Sequence, residues 1–279
     1  MVMLVITQAA ADEMRWYHTF DLPGGVVTRG LFDLRPLAPQ LPMPLDLTGM
    51  RCLDAASSDG FWGFEMARRG ASEVVSLDLA DVTKQDFQHP GRALPAELPT
   101  ASRADLAFHT VRTALGADNV HRVDMSVHDV TTEDVGTFDY VFMGNILVHL
   151  SDPVAAVRAI SRVLRDDAEL LSIETFSIAL TLLSRRRPVA SFFTADTRGA
   201  DAQRNDFNRW WLPNMSGHRA LVAAGGVAVV QSGGPVFQKV GAWRARRPTR
   251  VPRDLREAHF VAVVRPFGIP TSWVRAVRE

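Results

Sequence analysis

Asp54 and Asp78 are the residues whose type and spacing first promise chemistry in this chain. Each closes a short apolar run, at Cys52–Leu53 and Val74–Leu77, and the small residues Ala55, Ala56, Ser57 and Ser58 lie between them, followed by Gly60. Small residues after a strand let the backbone turn sharply beside a ligand. Asp78 stands 18 residues beyond Gly60, where an acid can accept hydrogen bonds from both hydroxyls of a ribose laid across the strand ends. The pattern G-x-G-x-x-G is absent, and Ala56 and Ser58 fill places where glycines would help a pyrophosphate approach. A diphosphate ligand is thereby disfavoured, and a nucleoside without phosphates fits better. Asp54 is expected to orient the turn. Ala56, Ser57, Ser58 and Gly60 are expected to offer backbone contacts, and Leu79 belongs with Asp78 at the ribose. His149, in NILVHLSDP, is a candidate general base because imidazole titrates near neutrality. A packing or capping role is the competing reading of His149. No His, Asp or Glu spacing suggests a metal site.

These groups need elements to hold them. Cys52 to Asp54 reads as a strand, and Phe61, Trp62, Phe64 and Met66 recur at helical spacing with Glu65, Arg68 and Arg69 on the other face, until Gly70 stops the helix. Val74–Leu77 makes the second strand, a Pro-rich loop follows, and Phe108, Val111 and Leu115 mark a helix. Further strands are expected at Val120–Val123, Phe138–Met143 and Glu169–Ile173, with a helix begun by Asp152-Pro153 before the last of these. A helix around Ala220–Ala224 and strands at Val227–Val230 and Phe260–Val264 complete the chain. This alternation predicts an α/β, doubly wound, mostly parallel seven-stranded sheet covered on both faces. Ligands of such sheets bind outside the strand carboxyl ends, where Asp54, Asp78, Ser126 and Asn145 would gather. Residues 1–45 are too turn-rich for a sheet unit and read as a lid; residues 46–279 form the main domain, with 177–215 inserted after the fifth strand.

The stretch TGMRCLDAASSDGFWGFEMARRGASEVVSLDL resembles motif I of the class I S-adenosylmethionine (SAM) dependent methyltransferases. VHRVDMSVHDV, GTFDYVFMGNILVHLSDPVAAVRAISRVL and WWLPNMSGHRALVAAGGV are similar to the successive blocks of the branch that includes the tRNA wobble-uridine carboxymethyltransferases. The likeness runs over residues 14–265. It implies a Rossmann-like methyltransferase fold with SAM as cofactor. It also implies that Ser126 takes the place of the family's adenine-binding acid or amide, with Val127 against the ring, and that Gly144 and Asn145 hold the SAM amino group. Trp16-Tyr17-His18 is similar to a Trp-x-His block before the core. With Trp210 and Trp211 it forms the expected substrate side, and the resemblance places specificity in the insertion.

Three functions compete. Methyl transfer to an oxygen or nitrogen of a small-molecule acceptor comes first. The second is tRNA wobble-uridine carboxymethylation from carboxylated SAM, which is disfavoured because Val148 stands where that branch carries a carboxylate-binding tyrosine. The third is a non-catalytic SAM-binding regulator or partner subunit.

Composition sets the outer bounds. Lys plus Arg equals Asp plus Glu at 31 each, so no global field draws the chain to nucleic acid or to a membrane surface. Arg185–Arg187 and the arginines from Arg244 to Arg256 form local clusters with no RNA-binding motif beside them. Cys52 is the only cysteine, which excludes an internal disulfide and fits a reducing cytoplasm. No stretch approaches the ~20 apolar residues of a membrane span.

Overall fold

The computed structural model describes residues 6–81, 84–86, 101–184, 186–193, 209–242 and 264–278, with the backbone alone at 101–103 and 265. The elements run in the order α1 (Gln8–Glu13), β1 (Trp16–His18), β2 (Asp21–Leu22), β3 (Val26–Val27), β4 (Gly30–Asp33), β5 (Arg51–Ala55), α2 (Phe61–Arg68) and β6 (Glu73–Asp78). Next come α3 (Ala101–Leu115), β7 (Val120–Asp124), α4 (Thr132–Val135), β8 (Phe138–Gly144), α5 (Pro153–Val163), β9 (Leu164–Thr175) and α6 (Ile178–Leu183). The chain continues through β10 (Ala190–Phe192), β11 (Trp211–Pro213), α7 (Met215–Ala224), β12 (Ala228–Val240) and β13 (Ile269–Val277).

One sheet of nine strands, ordered β1-β4-β12-β13-β9-β8-β5-β6-β7, organises the molecule. The run β9-β8-β5-β6-β7 is parallel throughout, and β13 enters antiparallel between β9 and β12. The α/β, doubly wound architecture is therefore as expected, but the sheet exceeds the expected seven strands by β4, antiparallel to β12, and β1, parallel to β4. The segment read as a strand-free lid thus contributes to the sheet. At three and four residues, these strands are too short to show an alternating pattern. The final strand also differs: it is Ile269–Val277 rather than Phe260–Val264, Val264 preceding a short helical turn at Arg265–Phe267. Residues 260–263 and the arginines from Arg244 to Arg256 lie outside the described residues.

Each sheet face buries its own core. On one side Cys52, Val74, Tyr140, Phe142, Leu171 and Ile173 pack against α2, α3 and the N-terminal segment. On the other, Leu53, Val75, Val141, Met143 and Leu170 meet α5 and α7. The period-2 alternation of β-strands makes this division. α5 starts where Asp152 accepts from the Ala155 N–H at 2.9 Å with Pro153 behind it, and it buries Ala156, Val157, Ile160 and Val163. α2 buries Phe61, Trp62, Phe64 and Met66, while Glu65 holds Arg68 and Arg69 on the opposite face. Among the described residues no helix is long and apolar enough to cross a membrane.

Candidate active site

The turn that follows β5 keeps the shape of a glycine loop without its glycines. Ala56 and Ser58 have left-handed backbones, at φ 63° and 52°, and Asn145 after β8 does the same at φ 54°. Such conformations cost L-residues about 1–2 kcal/mol each and persist only where the surroundings impose them. Here the surroundings are specific. Ser57 N–H donates to Leu77 O at 2.9 Å, Gly60 N–H to Ser57 O at 2.8 Å, and Arg122 Nη1 to Ser58 O at 2.5 Å. Ser58 N–H donates to Asp78 Oδ2, and Leu79 N–H to Asp78 Oδ1 at 2.7 Å.

Asp78 therefore braces the turn, while each of its oxygens keeps a second lone pair for a ligand hydroxyl. Burial pushes its carboxyl above the ordinary range, opposed by Arg122 and the two N–H donors. Asp54 lies beneath α2 and accepts from the Gly63 N–H at 2.8 Å. A methyl group on Gly63 would sit 2.5 Å from Ser76 Oγ and 3.3 Å from Asp54 Oδ2, so the helix can approach this acid only as glycine. Burial pushes the Asp54 carboxyl up to about 7 against that hydrogen bond.

At the end of β8, Asn145 Oδ1 accepts from Thr175 N–H at 2.9 Å, tying the loops after β8 and β9 together. Gly144 lies against the Trp62 indole, whose Nε1 would be 3.2 Å from an added methyl. His149, half-buried, ends the 3-10 turn Leu147–His149, whose other two residues are buried. Glu174, fully buried, accepts from the Val148 N–H of that turn at 3.2 Å and from Thr175 N–H at 2.8 Å. Burial pushes the Glu174 carboxyl up to about 8. Ser126 Oγ accepts from His128 N–H at 3.2 Å, and Val127 is buried in the core on the α5 side.

The expected substrate side divides. Trp16 is 2% exposed and its indole N–H donates to Ala11 O at 2.8 Å, so the ring is consumed by the N-terminal core, a correction to its expected contact with substrate. Tyr17 and His18 instead meet the turn after β5, where both backbone N–H groups donate to Asp59. Trp210 joins two loops: its N–H donates to Val148 O and its indole N–H to Asp86 O, both at 2.8 Å. Trp211 donates its indole N–H to Leu150 O at 3.0 Å. Arg186 and Arg187 are exposed, and Arg185 lies outside the described residues.

Sequence reasoning passed over Asp59, Arg122 and Glu174. Asp59 adjoins Gly60 and Glu174 ends the fifth strand, so position alone could have nominated both. Arg122 gave no signal, because its 6% exposed side chain reaches the turn only through the sheet.

Comparison with known proteins follows the same outline. Residues 53–172 match the family described as a methyltransferase domain. The ubiquinone biosynthesis O-methyltransferase of Xanthomonas oryzae pv. oryzae (strain PXO99A) is 33% identical over 126 residues, covering 45% of this chain and 43% of that protein. Its counterpart in Neisseria meningitidis serogroup A / serotype 4A is 28% identical over 138 residues, covering 49% of each. The chain thus spans a little under half the length of these curated relatives. A candidate S-adenosylmethionine dependent methyltransferase from Listeria monocytogenes superposes with a TM-score of 0.51 at 11% identity, over 88% of this chain and 97% of that one. The YcgJ protein of Bacillus subtilis gives 0.51 at 14% identity with the same coverage. The matched segment, residues 53–172, spans the parallel run from β5 to β9, so this run is what is similar to a methyltransferase domain.

Proposed function

We propose that this chain is a SAM-dependent methyltransferase acting on an oxygen or nitrogen of a small-molecule acceptor. The observation that carries this reading is the turn at Ala56–Ser58, held left-handed and hydrogen-bonded to the acid at the end of β6. The cradle suits an adenosyl group: Ser57 Oγ is buried without a partner among the described residues, and Asp78 retains acceptor capacity for ribose hydroxyls. In this reading Asp78 and Leu79 hold the ribose, the backbone of Ala56, Ser57, Ser58 and Gly60 lines the nucleoside, and Ser126 and Val127 face the adenine. Gly144 and Asn145 take the amino-acid end, with Asp54 orienting the turn from beneath.

When bound, SAM supplies an electrophilic methyl carbon whose bond pair returns to sulfur on transfer. The protein's share is alignment and exclusion of water, which can supply most of the acceleration. Trp210 and Trp211 of the insertion, tied to the loops after β6 and β8, wall the acceptor side together with Tyr17 and His18. Oxygen is favoured as the receiving atom because the named relatives are O-methyltransferases.

Kinship with the wobble-uridine branch is, in this reading, one of architecture. Val148 is 3% exposed and anchored to Glu174, and it brings no hydroxyl for a second carboxylate. A cytoplasmic location belongs to the same proposal, from the single, fully buried Cys52, whose thiol burial pushes up to about 12.

Mass spectrometry of the small molecules released from freshly purified protein tests the reading. SAM or S-adenosylhomocysteine is expected, with saturable heat when S-adenosylhomocysteine is titrated into stripped protein. Release of carboxylated SAM would transfer the assignment to carboxymethyl transfer, and absence of any binding heat would end it.

A further inference from the structure

Asp59 is fully buried in the β5–α2 turn, and all three of its described partners come from one short strand. Its Oδ2 accepts the N–H groups of Tyr17 at 2.8 Å and His18 at 2.9 Å, and its Oδ1 lies 2.5 Å from His18 Nδ1. An ionised carboxylate only accepts, so Nδ1 is the donor here, and in that tautomer it is Nε2 that bears the lone pair. His18 is 7% exposed, and among the described residues no hydrogen bond engages Nε2. The ring packs at 5.6 Å from Phe61 and 4.8 Å from Tyr17, which fixes its plane. A carboxylate that orients an imidazole through Nδ1, leaving Nε2 open, is the arrangement that equips histidine to take a proton.

We propose that His18 is the general base of the reaction and that Asp59 is its positioning residue. This deepens the methyltransferase reading and rests on it. His18 Nε2 takes the proton of the acceptor's O–H or N–H as that atom's lone pair forms the bond to the methyl carbon. The imidazolium is balanced by Asp59 and returns its proton to solvent after product leaves. The charged neighbours are consistent with one transient cation there: Asp54 and Asp78 both sense Asp59, and Arg122 offsets them while paired with Asp105 of α3, the helix that also packs on β1. His149 sits on a separate turn, which Glu174 fastens.

Nitrogen-15 NMR of histidine in the full chain, with and without S-adenosylhomocysteine, reads the proposal directly. The expected result is the Nδ1–H tautomer for His18 at pH 8 in both states. Asp59→Asn places an amide against Nδ1 and should switch the ring to the Nε2–H tautomer, while S-adenosylhomocysteine affinity by calorimetry stays within about twofold. With catechol as the methyl acceptor, His18→Gln should lower kcat by ~10²–10⁴, leaving the cofactor dissociation constant in place. An Nε2–H tautomer in the native protein, or a ring doubly protonated throughout pH 6–9, would overturn the proposal whether or not catechol is methylated. Loss of S-adenosylhomocysteine binding by the native protein would instead sink the methyltransferase reading, so the two failures are distinguishable.

Discussion

Gly30 and His18 meet backbone to backbone: a methyl group on Gly30 would lie 2.3 Å from the His18 carbonyl carbon and 2.5 Å from Thr19 N. The parallel pair β1–β4, with Trp16 opposite Gly30 and His18 opposite Phe32, closes only because that side chain is absent.

Gly30→Ala should therefore push β1 off β4 and draw His18 away from Asp59. Overpacking of this kind costs about 1–3 kcal/mol, and urea midpoints of the variant and native proteins give the value. Unchanged stability would mean that β1 is not clamped as described.

The left-handed turn makes the opposite prediction for Ala56→Gly. Glycine in a strand or helix usually destabilises, but here it removes the cost of φ 63°, and a gain of up to about 1 kcal/mol is expected. Thermal melts at matched pH check it, and a clear loss would show that Ala56 is not left-handed in solution.

Asp78→Ala removes an acceptor used by both Ser58 and Leu79. Affinity for S-adenosylhomocysteine should fall at least tenfold by calorimetry, accompanied by a lower melting temperature. Asp78→Asn, which keeps one acceptor oxygen, should recover part of the melting temperature but little of the affinity. Equal affinity in all three proteins would take Asp78 out of the ribose contact.

Buried titrating groups set the pH profile of stability. Asp54 and Glu174 have folded values raised to about 7 and about 8, so the native state holds their protons more tightly than the unfolded chain does. Their contribution is complete below the unfolded carboxylate values and is lost as pH rises to about 8. His218, which lies between Ser172 Oγ and Ser272 Oγ at 3.0 and 2.9 Å, is lowered to about 3 by burial. Its contribution is complete above pH 6.5 and is lost as pH falls towards 3. Denaturant unfolding of Glu174→Gln should show the loss between pH 5 and 8 reduced by up to about 1.4 kcal/mol per pH unit. Parallel curves for variant and native protein would mean that Glu174 is already ionised in the fold.

His149→Ala should slow catechol methylation less than His18→Gln does and leave cofactor affinity unchanged. Steady-state kinetics of the two variants under one set of conditions rank them. A larger defect at His149 would return the base to the loop after β8.

The alternation of apolar runs made the parallel core legible, because strands such as Val74–Leu77 and Phe138–Met143 are buried on both faces and announce themselves by composition. The places of Asp54, Gly60 and Asp78 in the fold were legible too, since a turn between strand and helix constrains which residues can stand there. What lay hidden was set by long-range pairing. β1 becomes a strand only against β4, and β4 only against the end of β12, so no local pattern marks either one. The Asp59–His18 contact joins positions 41 apart in the sequence, and each residue read alone is an ordinary turn acid and an ordinary aromatic neighbour. The span of β12, expected at Val227–Val230 and found at Ala228–Val240, was broken in the sequence by Gly233, Gly234 and Pro235, which the strand absorbs as an irregularity against β13.

The order of the strands also sets what the outer strands depend on. β4 and β1 hang from β12, and β12 reaches the parallel core only through β13, which ends at Val277. Loosening β13 should therefore release β12, β4 and β1 from the sheet together while the parallel run from β5 to β9 keeps its own ladder, so the seat of His18 is hinged on a strand it never touches in the ladder.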